Sequence, residues 1–562
     1  MTVSYEEAVA AVTAPGERFE TEEIEIRGST VTAFKNAPPS LREIVASTAL
    51  RGDDVFLVYE DERWTFTRFA DTVNALATAL VEHFGVTKGD RVAIGMRNYP
   101  EWVVSFAAIT SIGAVSVSLN AWWTEDELDY ALEDCGAKVL IADAERIERS
   151  AKTTERLGIA VLAVRAPDAT ADQWGDVVTP LADARVLMPD VVVDPEDDAT
   201  ILYTSGTTGN PKGAVSTHRA VVQALLGFGC RSAIDRVRKP PTDASAAAAE
   251  PLAFILVVPL FHVTGCVPVM LSCLASGLKL VIMYKWDPER ALELIERERV
   301  TNFVGVPTQN WDLLASPKFA DHDTSSLRNV GGGGAPAPPE LVRRMAAKYP
   351  KASAGIGYGM TETNAYGPQN GGEDYLTHPT STGRATPILQ IEIRDQDGSP
   401  LATGERGEIW FKGPHLIRGY WNKPEATAEV IVDGWLRSGD IGRIDDEGFV
   451  YVEDRAKDMV LRGGENVYCA EVEAALYEHP KVHEAAVFGV PHERLGEEVA
   501  AAVMPATGAT VTVEELQAHV AERLAPFKVP STIVIMETPL PRNASGKILK
   551  RELRDQLAPP SR

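Results

Sequence analysis

A segment rich in glycine and hydroxyl side chains has the composition of a phosphate-binding loop. It occupies residues 203–213, continues the apolar run ATILY and has the sequence YTSGTTGNPKG. Glycines allow backbone N–H groups to converge on an anion, hydroxyls add donors, and Lys212 supplies a positive charge. It is not a Walker loop, because Pro211 stands where the second glycine would fall and Gly213 follows the lysine. A flexible loop that binds nothing is the structural alternative.

Three later clusters carry groups that suit a nucleotide. Residues 357–362 (GYGMTE) place an aromatic ring between glycines and end in oxygen donors that suit a divalent cation. Residues 437–440 (RSGD) predict a tight turn that carries Asp440, a carboxylate of the kind that can accept hydrogen bonds from ribose hydroxyls. Residues 541–551 (PRNASGKILKR) place Lys547 on a turn that contains glycine. Each cluster alone also fits an ordinary structural role, namely a turn, a surface carboxylate or a solvated basic tail.

The four clusters, in this order, resemble the superfamily of adenylate-forming enzymes, which includes acyl-CoA synthetases, luciferases and peptide-synthetase adenylation domains. The resemblance extends over residues 39–551 and includes GEIW, GYW, WLRSGD and DRAKDM. It implies that a carboxylic acid is joined to the α-phosphate of ATP, so that AMP becomes the leaving group for a thiol. The implied reaction converts acid, ATP and CoA into acyl-CoA, AMP and pyrophosphate, with Mg²⁺ as the metal ion. Loading of the acyl group onto a separate carrier protein is the alternative.

The resemblance also implies roles for individual residues. The phosphates of ATP are expected to contact Thr204, Ser205, Gly206, Thr207, Thr208 and Lys212. The adenosine is expected to contact Gly333, Gly334, Ala335, Pro336, Tyr358, Gly359, Asp440 and Arg455. The expected catalytic residues are Lys547, which bridges carboxylate and α-phosphate, Thr361 at the α-phosphate, Glu362 as the Mg²⁺ ligand, and His262 as the wall between acid and nucleotide. The C-terminal domain is expected to pivot at Lys457 and to bring Gly463, Gly464, Glu465 and Asn466 to the pantetheine thiol.

The residues that the resemblance assigns to the acid are small and mostly apolar. They are Val263, Thr264, Cys266, Val306 and Gly332, together with Gly333 and Gly359. No charge among them would pair with a second ionic group, so an apolar fatty or aryl acid is expected to bind by burial. His262 stands where relatives that activate amino acids commonly have Asp, which argues against an α-amino acid. Medium-chain, long-chain, short sulfur-containing and aryl acids all remain open.

The elements that must position these residues predict an α/β fold. Helical patterns over 64–85, 100–114 and 124–135 alternate with strand patterns over 89–96, 115–119 and 137–143, which indicates parallel sheets covered on both faces. Thr124 and Glu127 predict a capping box that begins the third helix. Short β-like runs after residue 388 predict a small β-barrel-like subdomain. We therefore expect a large N-terminal domain (1–453) with two parallel-type sheets, a hinge (454–458) and a small mobile α+β domain (459–562).

Composition limits the partners and the compartment. The formal net charge of −25 argues against nucleic acid, because a phosphate backbone requires basic surfaces. The five cysteines lack metal-ligand spacing and are expected to be buried thiols in a reducing compartment. We see no secretory signal, and the charge-free residues 251–278 predict a strand, a turn and a buried helix instead of a membrane span. We therefore expect a cytoplasmic protein. The resemblance leaves a homodimer open, and residues 238–251 are expected to form an inserted surface loop.

Overall fold

The computed structural model describes residues 3–204, 210–240, 251–334, 337, 339–455, 458–462, 465–492, 494–543 and 546–557. The described helices are α1 (Tyr5–Val12), α2 (Leu41–Ser47), α3 (Phe66–Glu82), α4 (Pro100–Ser111), α5 (Glu125–Cys135), α6 (Ala144–Leu157), α7 (Trp174–Val177), α8 (Thr179–Asp183), α9 (His218–Arg238), α10 (Ser272–Ser276), α11 (Pro288–Arg297), α12 (Pro307–Ala315), α13 (Pro339–Lys348), α14 (Gly372–Thr377), α15 (Pro424–Val430), α16 (Cys469–Tyr477), α17 (Val513–Ala521) and α18 (Lys550–Leu557). A π-helical segment, Gly265–Leu271, precedes α10.

The strands are β1 (Thr21–Ile26), β2 (Ser29–Phe34), β3 (Val55–Tyr59), β4 (Glu62–Thr65), β5 (Arg91–Gly95), β6 (Val115–Ser118), β7 (Val139–Asp143), β8 (Ala160–Val164), β9 (Asp172–Gln173), β10 (Asp198–Thr204), β11 (Lys212–Thr217), β12 (Ala253–Leu256), β13 (Lys279–Ile282), β14 (Asn302–Gly305), β15 (Asn329–Gly333), β16 (Ser353–Gly357), β17 (Gln369–Gly371), β18 (Gly383–Arg384), β19 (Gln390–Arg394), β20 (Gly407–Lys412), β21 (Gly419–Tyr420), β22 (Ile431–Val432), β23 (Trp435–Ile444), β24 (Phe449–Arg455), β25 (Val460–Arg462), β26 (Glu465–Val467), β27 (Val482–His492), β28 (Gly496–Pro505) and β29 (Thr532–Ile535).

Two large sheets make up most of the molecule, as the sequence predicts. The first has the order β21-β11-β10-β6-β5-β7-β8-β9, with a parallel centre from β10 to β9. The second has a parallel core, β16-β15-β14-β12-β13-β3, flanked by antiparallel strands. Hydrophobic side chains between and around these sheets form the main core.

The β-rich segment after residue 388 is joined to the second sheet. Strands β19, β20, β23 and β24 follow one another and continue through β18 and β17 to β16. The predicted barrel-like subdomain therefore shares a hydrogen-bonded ladder with the parallel core. Residues 460–535 form a separate described sheet, β26-β25-β28-β27 with β29 beside β28, which has its own apolar core. The boundary proposed at 454–458 stays a prediction, and β24 extends into it as far as Arg455.

The local predictions hold with three corrections. Trp64 and Thr65 belong to β4, and Thr65 caps α3 by accepting a hydrogen bond from the Arg68 N–H. Arg238 is the last residue of α9 and pairs with Asp374 at 2.7 Å, so it is not part of a loop; residues 241–250 of the predicted insertion lie outside the described residues. The predicted turn at 437–440 lies inside β23, where the ladder with β20 shifts register.

Other predictions are confirmed directly. Thr124 and Glu127 form the capping box that begins α5. The five cysteines, all of which are described, are buried free thiols. Residues 251–278 contain β12, a turn, the π-helical segment and α10, as the pattern indicates. Within the described part of the chain, the structure contains no helix with the length and apolar character that a bilayer crossing requires.

Candidate active site

The predicted site residues lie where parallel strands of both sheets end. Thr204 ends β10, Val306 follows β14, Gly333 ends β15 and Tyr358 follows β16. In open α/β sheets, ligands bind outside the carboxyl ends of the strands, where loops leave backbone groups unpaired. The topology therefore brings together residues that are far apart in sequence.

The phosphate loop connects two antiparallel strands. Thr204 at the end of β10 lies directly opposite Lys212 at the start of β11. A Walker loop instead leads into a helix, whose N-terminus contributes to anion binding. Here the loop must rely on backbone N–H groups, hydroxyls and Lys212. The predicted contacts Ser205, Gly206, Thr207 and Thr208 lie outside the described residues.

Helix α5 anchors both ends of this loop, through Asp134 at one end and Tyr130 at the other. Asp134 Oδ2 accepts a hydrogen bond from the Tyr203 hydroxyl at 2.8 Å, at the point where the loop begins. The Tyr130 hydroxyl lies 3.4 Å from Asp134 Oδ1 and donates to the Pro211 carbonyl at 3.3 Å, where the loop ends. Sequence reasoning missed Asp134, because one acidic residue on an acidic helix gives no distinctive signal.

Glycines at the ends of β15 and β16 form a wall made of backbone. Gly333 is paired with Gly357 in the parallel ladder. A Cβ at Gly332 would lie 3.2 Å from the Gly305 carbonyl oxygen, and one at Gly333 would lie 3.0 Å from that of Gly357. The close approach explains why these positions carry no side chain. Gly334 follows directly, whereas Ala335 and Pro336 are outside the described residues.

The predicted ribose and base contacts form a hydrogen-bonded group. The Tyr358 hydroxyl donates to Asp440 Oδ2, and Arg455 Nε lies 3.5 Å from Asp440 Oδ1. Burial raises the pKa of Asp440 above its ordinary value, against the opposing effect of Arg455. The cation at the end of β24 therefore favours the ionised carboxylate, which is the form that accepts hydrogen bonds from hydroxyls.

Glu362 is a buried carboxylate that accepts a side-chain hydrogen bond from one described residue, Tyr420. Its Oε1 accepts a hydrogen bond from the Tyr420 hydroxyl at 2.7 Å, and burial raises its pKa. Lys212 Nζ lies 5.2 Å from the centre of the Tyr420 ring, so Glu362 is close to the phosphate loop. Thr361 precedes Glu362 in the same 3₁₀ turn.

The donor set at Glu362 fits Mg²⁺. Among the residues described, no group of three or more His, Cys, Asp or Glu side chains could hold a metal ion. Mg²⁺ needs no such cage, because one or two carboxylates together with substrate phosphates and water suffice. Glu362, with one carboxylate oxygen not engaged by Tyr420, meets that requirement.

Lys547 lies inside the site in this arrangement of the C-terminal residues. Burial and the Arg455 guanidinium lower the pKa of Lys547 to about 8, while Asp440 and Asp458 oppose the shift. Gly546, the residue before Lys547, also packs on Val306 of the predicted acid pocket, since a Cβ at Gly546 would lie 2.9 Å from Val306 Cγ2. Gly546 and Lys547 therefore lie beside one residue predicted for the acid pocket and beside the residues predicted to bind the nucleotide.

His262 occupies the turn between β12 and the π-helical segment. Burial, together with the nearby Lys547 ammonium, lowers the pKa of His262 to about 4, so the imidazole is neutral at physiological pH. Its Nδ1 accepts a hydrogen bond from the Thr264 N–H at 3.3 Å. The proton of the neutral ring is therefore on Nε2, where it is available as a donor. Val263 and Cys266 follow as buried residues.

The segment assigned to the second half-reaction is only partly described. Glu465 and Asn466 lie in β26, where Glu465 is paired with Arg462, and both are exposed. Lys457, Gly463 and Gly464 lie outside the described residues. The adjoining Asp454 carboxylate accepts a hydrogen bond from the Cys469 N–H at the start of α16. The junction between β24 and α16 is thus held by a side chain that precedes the predicted pivot.

Comparisons with known proteins identify the family. The family described as AMP-binding enzyme matches residues 45–421, and AMP-binding enzyme C-terminal domain matches residues 471–547. A long-chain-fatty-acid–CoA ligase, FadD13 of Mycobacterium tuberculosis, is 36% identical over 507 residues, covering 90% of this chain and 93% of the relative. A feruloyl-CoA synthase of Amycolatopsis sp is 37% identical over 510 residues, covering 90% and 95%. The ATP-bound structure of MatB from Rhodopseudomonas palustris has a TM-score of 0.80 and 31% identity, covering 92% and 98%.

A two-sheet α/β body with a phosphate loop and a small lysine-bearing domain defines an ATP-dependent adenylating enzyme. The chain belongs to the AMP-binding enzyme family and, within the adenylate-forming superfamily, to the acyl-CoA synthetase branch. Members of this branch are AMP-forming acid–thiol ligases.

Proposed function

We propose that the enzyme joins an apolar fatty or aryl acid to CoA through an acyl-adenylate. In the first step a carboxylate oxygen attacks the α-phosphorus of ATP, and the bond to the β-phosphate breaks to release pyrophosphate. In the second step the sulfur of CoA attacks the acyl carbonyl as the thiol proton passes to water, and AMP leaves with the bonding electrons. Both steps develop negative charge, so fixed cations and N–H donors must lower the barrier.

The observation that carries this proposal is the convergence of Lys547 on Asp440, Arg455 and His262. A compact ammonium on a flexible stem suits a group that must contact both a carboxylate and a phosphate. Lys212 and the loop from Thr204 to Thr208 would hold the β- and γ-phosphates, and Thr361 the α-phosphate. Mg²⁺ at Glu362 would neutralise charge on the phosphates.

Adenosine binding follows from the group around Tyr358. Its ring and the backbone from Gly333 to Pro336 would enclose adenine, with Gly359 beside it. Asp440, held by Arg455, would accept hydrogen bonds from the ribose hydroxyls. After adenylation, the C-terminal domain would pivot at Lys457 and bring Gly463, Gly464 and Glu465 to the thiol; this motion would also break the Asp454 contact with Cys469.

An apolar acid is supported by the character of the wall. Val263, Cys266 and Val306 are buried apolar residues, Thr264 is uncharged, and Gly332 contributes backbone only. The relatives include ligases named for long-chain fatty acids and for ferulate, which are both predominantly apolar acids. A second carboxylate on the acid would meet no cation among these side chains.

The test uses purified enzyme, ATP, Mg²⁺ and a panel of fatty and aryl acids, with and without CoA. Pyrophosphate release and product masses are measured. We expect acyl-CoA and AMP from one acid class, and a Lys547→Ala variant that releases no pyrophosphate yet converts supplied acyl-adenylate. Acyl-adenylate that accumulates despite CoA would favour a carrier protein as acceptor. Equal loss of both half-reactions in folded Lys547→Ala would contradict the assigned role.

A further inference from the structure

Asn98 holds the backbone that leads to His262. It follows β5 of the first sheet and is 6% exposed. Its Nδ2 donates hydrogen bonds to the carbonyls of Val258 and Met283, both at 3.1 Å, and its Oδ1 accepts one from the Leu260 N–H at 2.9 Å. Both amide hydrogens and the oxygen are therefore engaged by backbone.

These bonds join the two large sheets at the edge where the site lies. Asn98 stands just beyond the carboxyl end of β5, while Val258 and Met283 lie just beyond the ends of β12 and β13. A carboxylate of the same size would lose both donors, and an apolar side chain would leave two buried carbonyls and an N–H unpaired. The contact pattern fits a carboxamide alone.

A second carboxamide ties the same segment to the acid pocket. Gln309 Nε2 donates to the Val257 carbonyl at 2.9 Å, and its Oε1 accepts from the Val306 N–H at 2.9 Å. Residues 257–260 are thus held from one side by Asn98 and from the other by α12. The backbone of residues 257–260 therefore helps to position both His262 and Val306.

Backbone contacts in the turn that contains Pro259 and His262 connect residues 257–260 to the His262 imidazole. The His262 N–H donates to the Pro259 carbonyl at 3.2 Å, and Thr264 N–H occupies Nδ1. A Cβ at Gly265 would lie 2.2 Å from the Pro259 oxygen, so the helical segment packs directly on the turn. The direction of the Nε2–H bond is therefore set by the backbone that Asn98 holds.

We propose that Asn98 is a positioning residue for adenylation, which holds His262 Nε2–H towards the carboxylate while Gln309 holds Val306. This role rests on the proposed function, because it assumes that an acid occupies the space between His262 and Val306. Misplacement of a contact by about 1 Å costs up to about a hundredfold in rate. Loss of Asn98 should therefore affect the acid far more than ATP.

The test compares Asn98→Leu and Asn98→Asp with Asn302→Leu. Asn302 is equally buried, at 6% exposed, but stands at the amino end of β14 and donates to Thr301 Oγ1 at 2.8 Å. We expect Asn98 variants to lose about tenfold to a hundredfold in kcat for ATP–pyrophosphate exchange and to raise KM for the acid, with KM for ATP within about twofold. The Asn302 variant should lose thermal stability and keep its kinetics.

Hydrogen exchange of the ligand-free protein separates this proposal from the function. Asn98→Leu should accelerate exchange of the Leu260 amide, while the Asn302 variant leaves it unchanged, whether or not an acid is turned over. A wild-type enzyme that catalyses no ATP–pyrophosphate exchange would refute the proposed function, but the hydrogen-exchange measurement at Leu260 would still test the role of Asn98. Equal changes in KM for acid and ATP, or an unchanged Leu260 amide, would overturn the positioning role. If Asn98→Leu does not fold, Asn98→Asp, which is closer in shape, provides the kinetic comparison.

Discussion

Adenylate formation should be lost at alkaline pH because Lys547 loses its proton unusually early. In the free enzyme the ammonium is buried beside Arg455, which lowers its pKa from 10.5 to about 8. This fall corresponds to about 3 kcal/mol against the charged form. The carboxylates of Asp440 and Asp458 limit the fall but do not cancel it.

The sign of the effect differs between folding and catalysis. Between pH 8 and 10.5 the buried lysine is neutral while an exposed one would be protonated, so the free-energy cost of burying this group falls as the pH rises. The first chemical step needs the ammonium, so its rate falls over the same range. Bound phosphates should raise the pKa again, since they supply the missing anions.

The assay is ATP–pyrophosphate exchange from pH 6 to pH 10 without CoA, because a thiol ionises near pH 8.5 and would obscure the lysine. We expect kcat/KM to fall about tenfold per pH unit above about pH 8, since it reports the free enzyme. The fall in kcat should begin at higher pH. Lys547→Arg, whose guanidinium stays charged, should be slower but flat over this range. A wild-type profile that is flat to pH 10, or an arginine variant with the same decline, would refute the reasoning.

Three further changes test other parts of the site. Glu362→Gln keeps an acceptor for Tyr420 and should raise the Mg²⁺ concentration for half-maximal exchange more than about tenfold, with an unchanged Tm; an unaltered Mg²⁺ titration would remove Glu362 as the ligand. Tyr203→Phe deletes the hydroxyl bound to Asp134 and should raise KM for ATP roughly fivefold, from about 1 kcal/mol, while KM for the acid stays constant. In the C-terminal unit, Lys550 of α18 pairs with the largely buried Glu473 of α16 at 2.7 Å. Lys550→Met leaves Glu473 without its cation and should lower the free energy of unfolding in urea by roughly 2–3 kcal/mol. A variant that lacks both charges should recover much of that loss.

The sequence was sufficient for features that depend on neighbouring residues. The Thr124 and Glu127 capping box and the helices and strands predicted between residues 64 and 143 each follow from local periodicity or from local hydrogen bonds. The order of the motifs was enough to indicate the family. These signals need no knowledge of which strands lie side by side.

Other features depend on contacts between distant segments. Asn98 acts on Leu260, which is 162 positions away, through backbone atoms that any residue possesses. Asp134 holds Tyr203 from 69 positions away. Asp440 lies in a strand and not in the predicted turn. The glycine that suggested a turn, Gly439, has a φ of 72° and accommodates the register shift in β23. Periodicity does not contain these relationships.

The glycine wall of β15 also determines how such an enzyme can acquire new substrates. Selection for a different acid usually replaces side chains that line a pocket, but Gly332 and Gly333 have a carbonyl oxygen 3.2 Å and 3.0 Å from any added Cβ. Substitution there would require the neighbouring backbone of β14 or β16 to shift by a few tenths of an ångström. Variation in acid preference is therefore directed to positions that carry side chains, such as Cys266 and Val306. A mutagenesis library confined to such positions would sample new acids while the backbone of β15 stays intact.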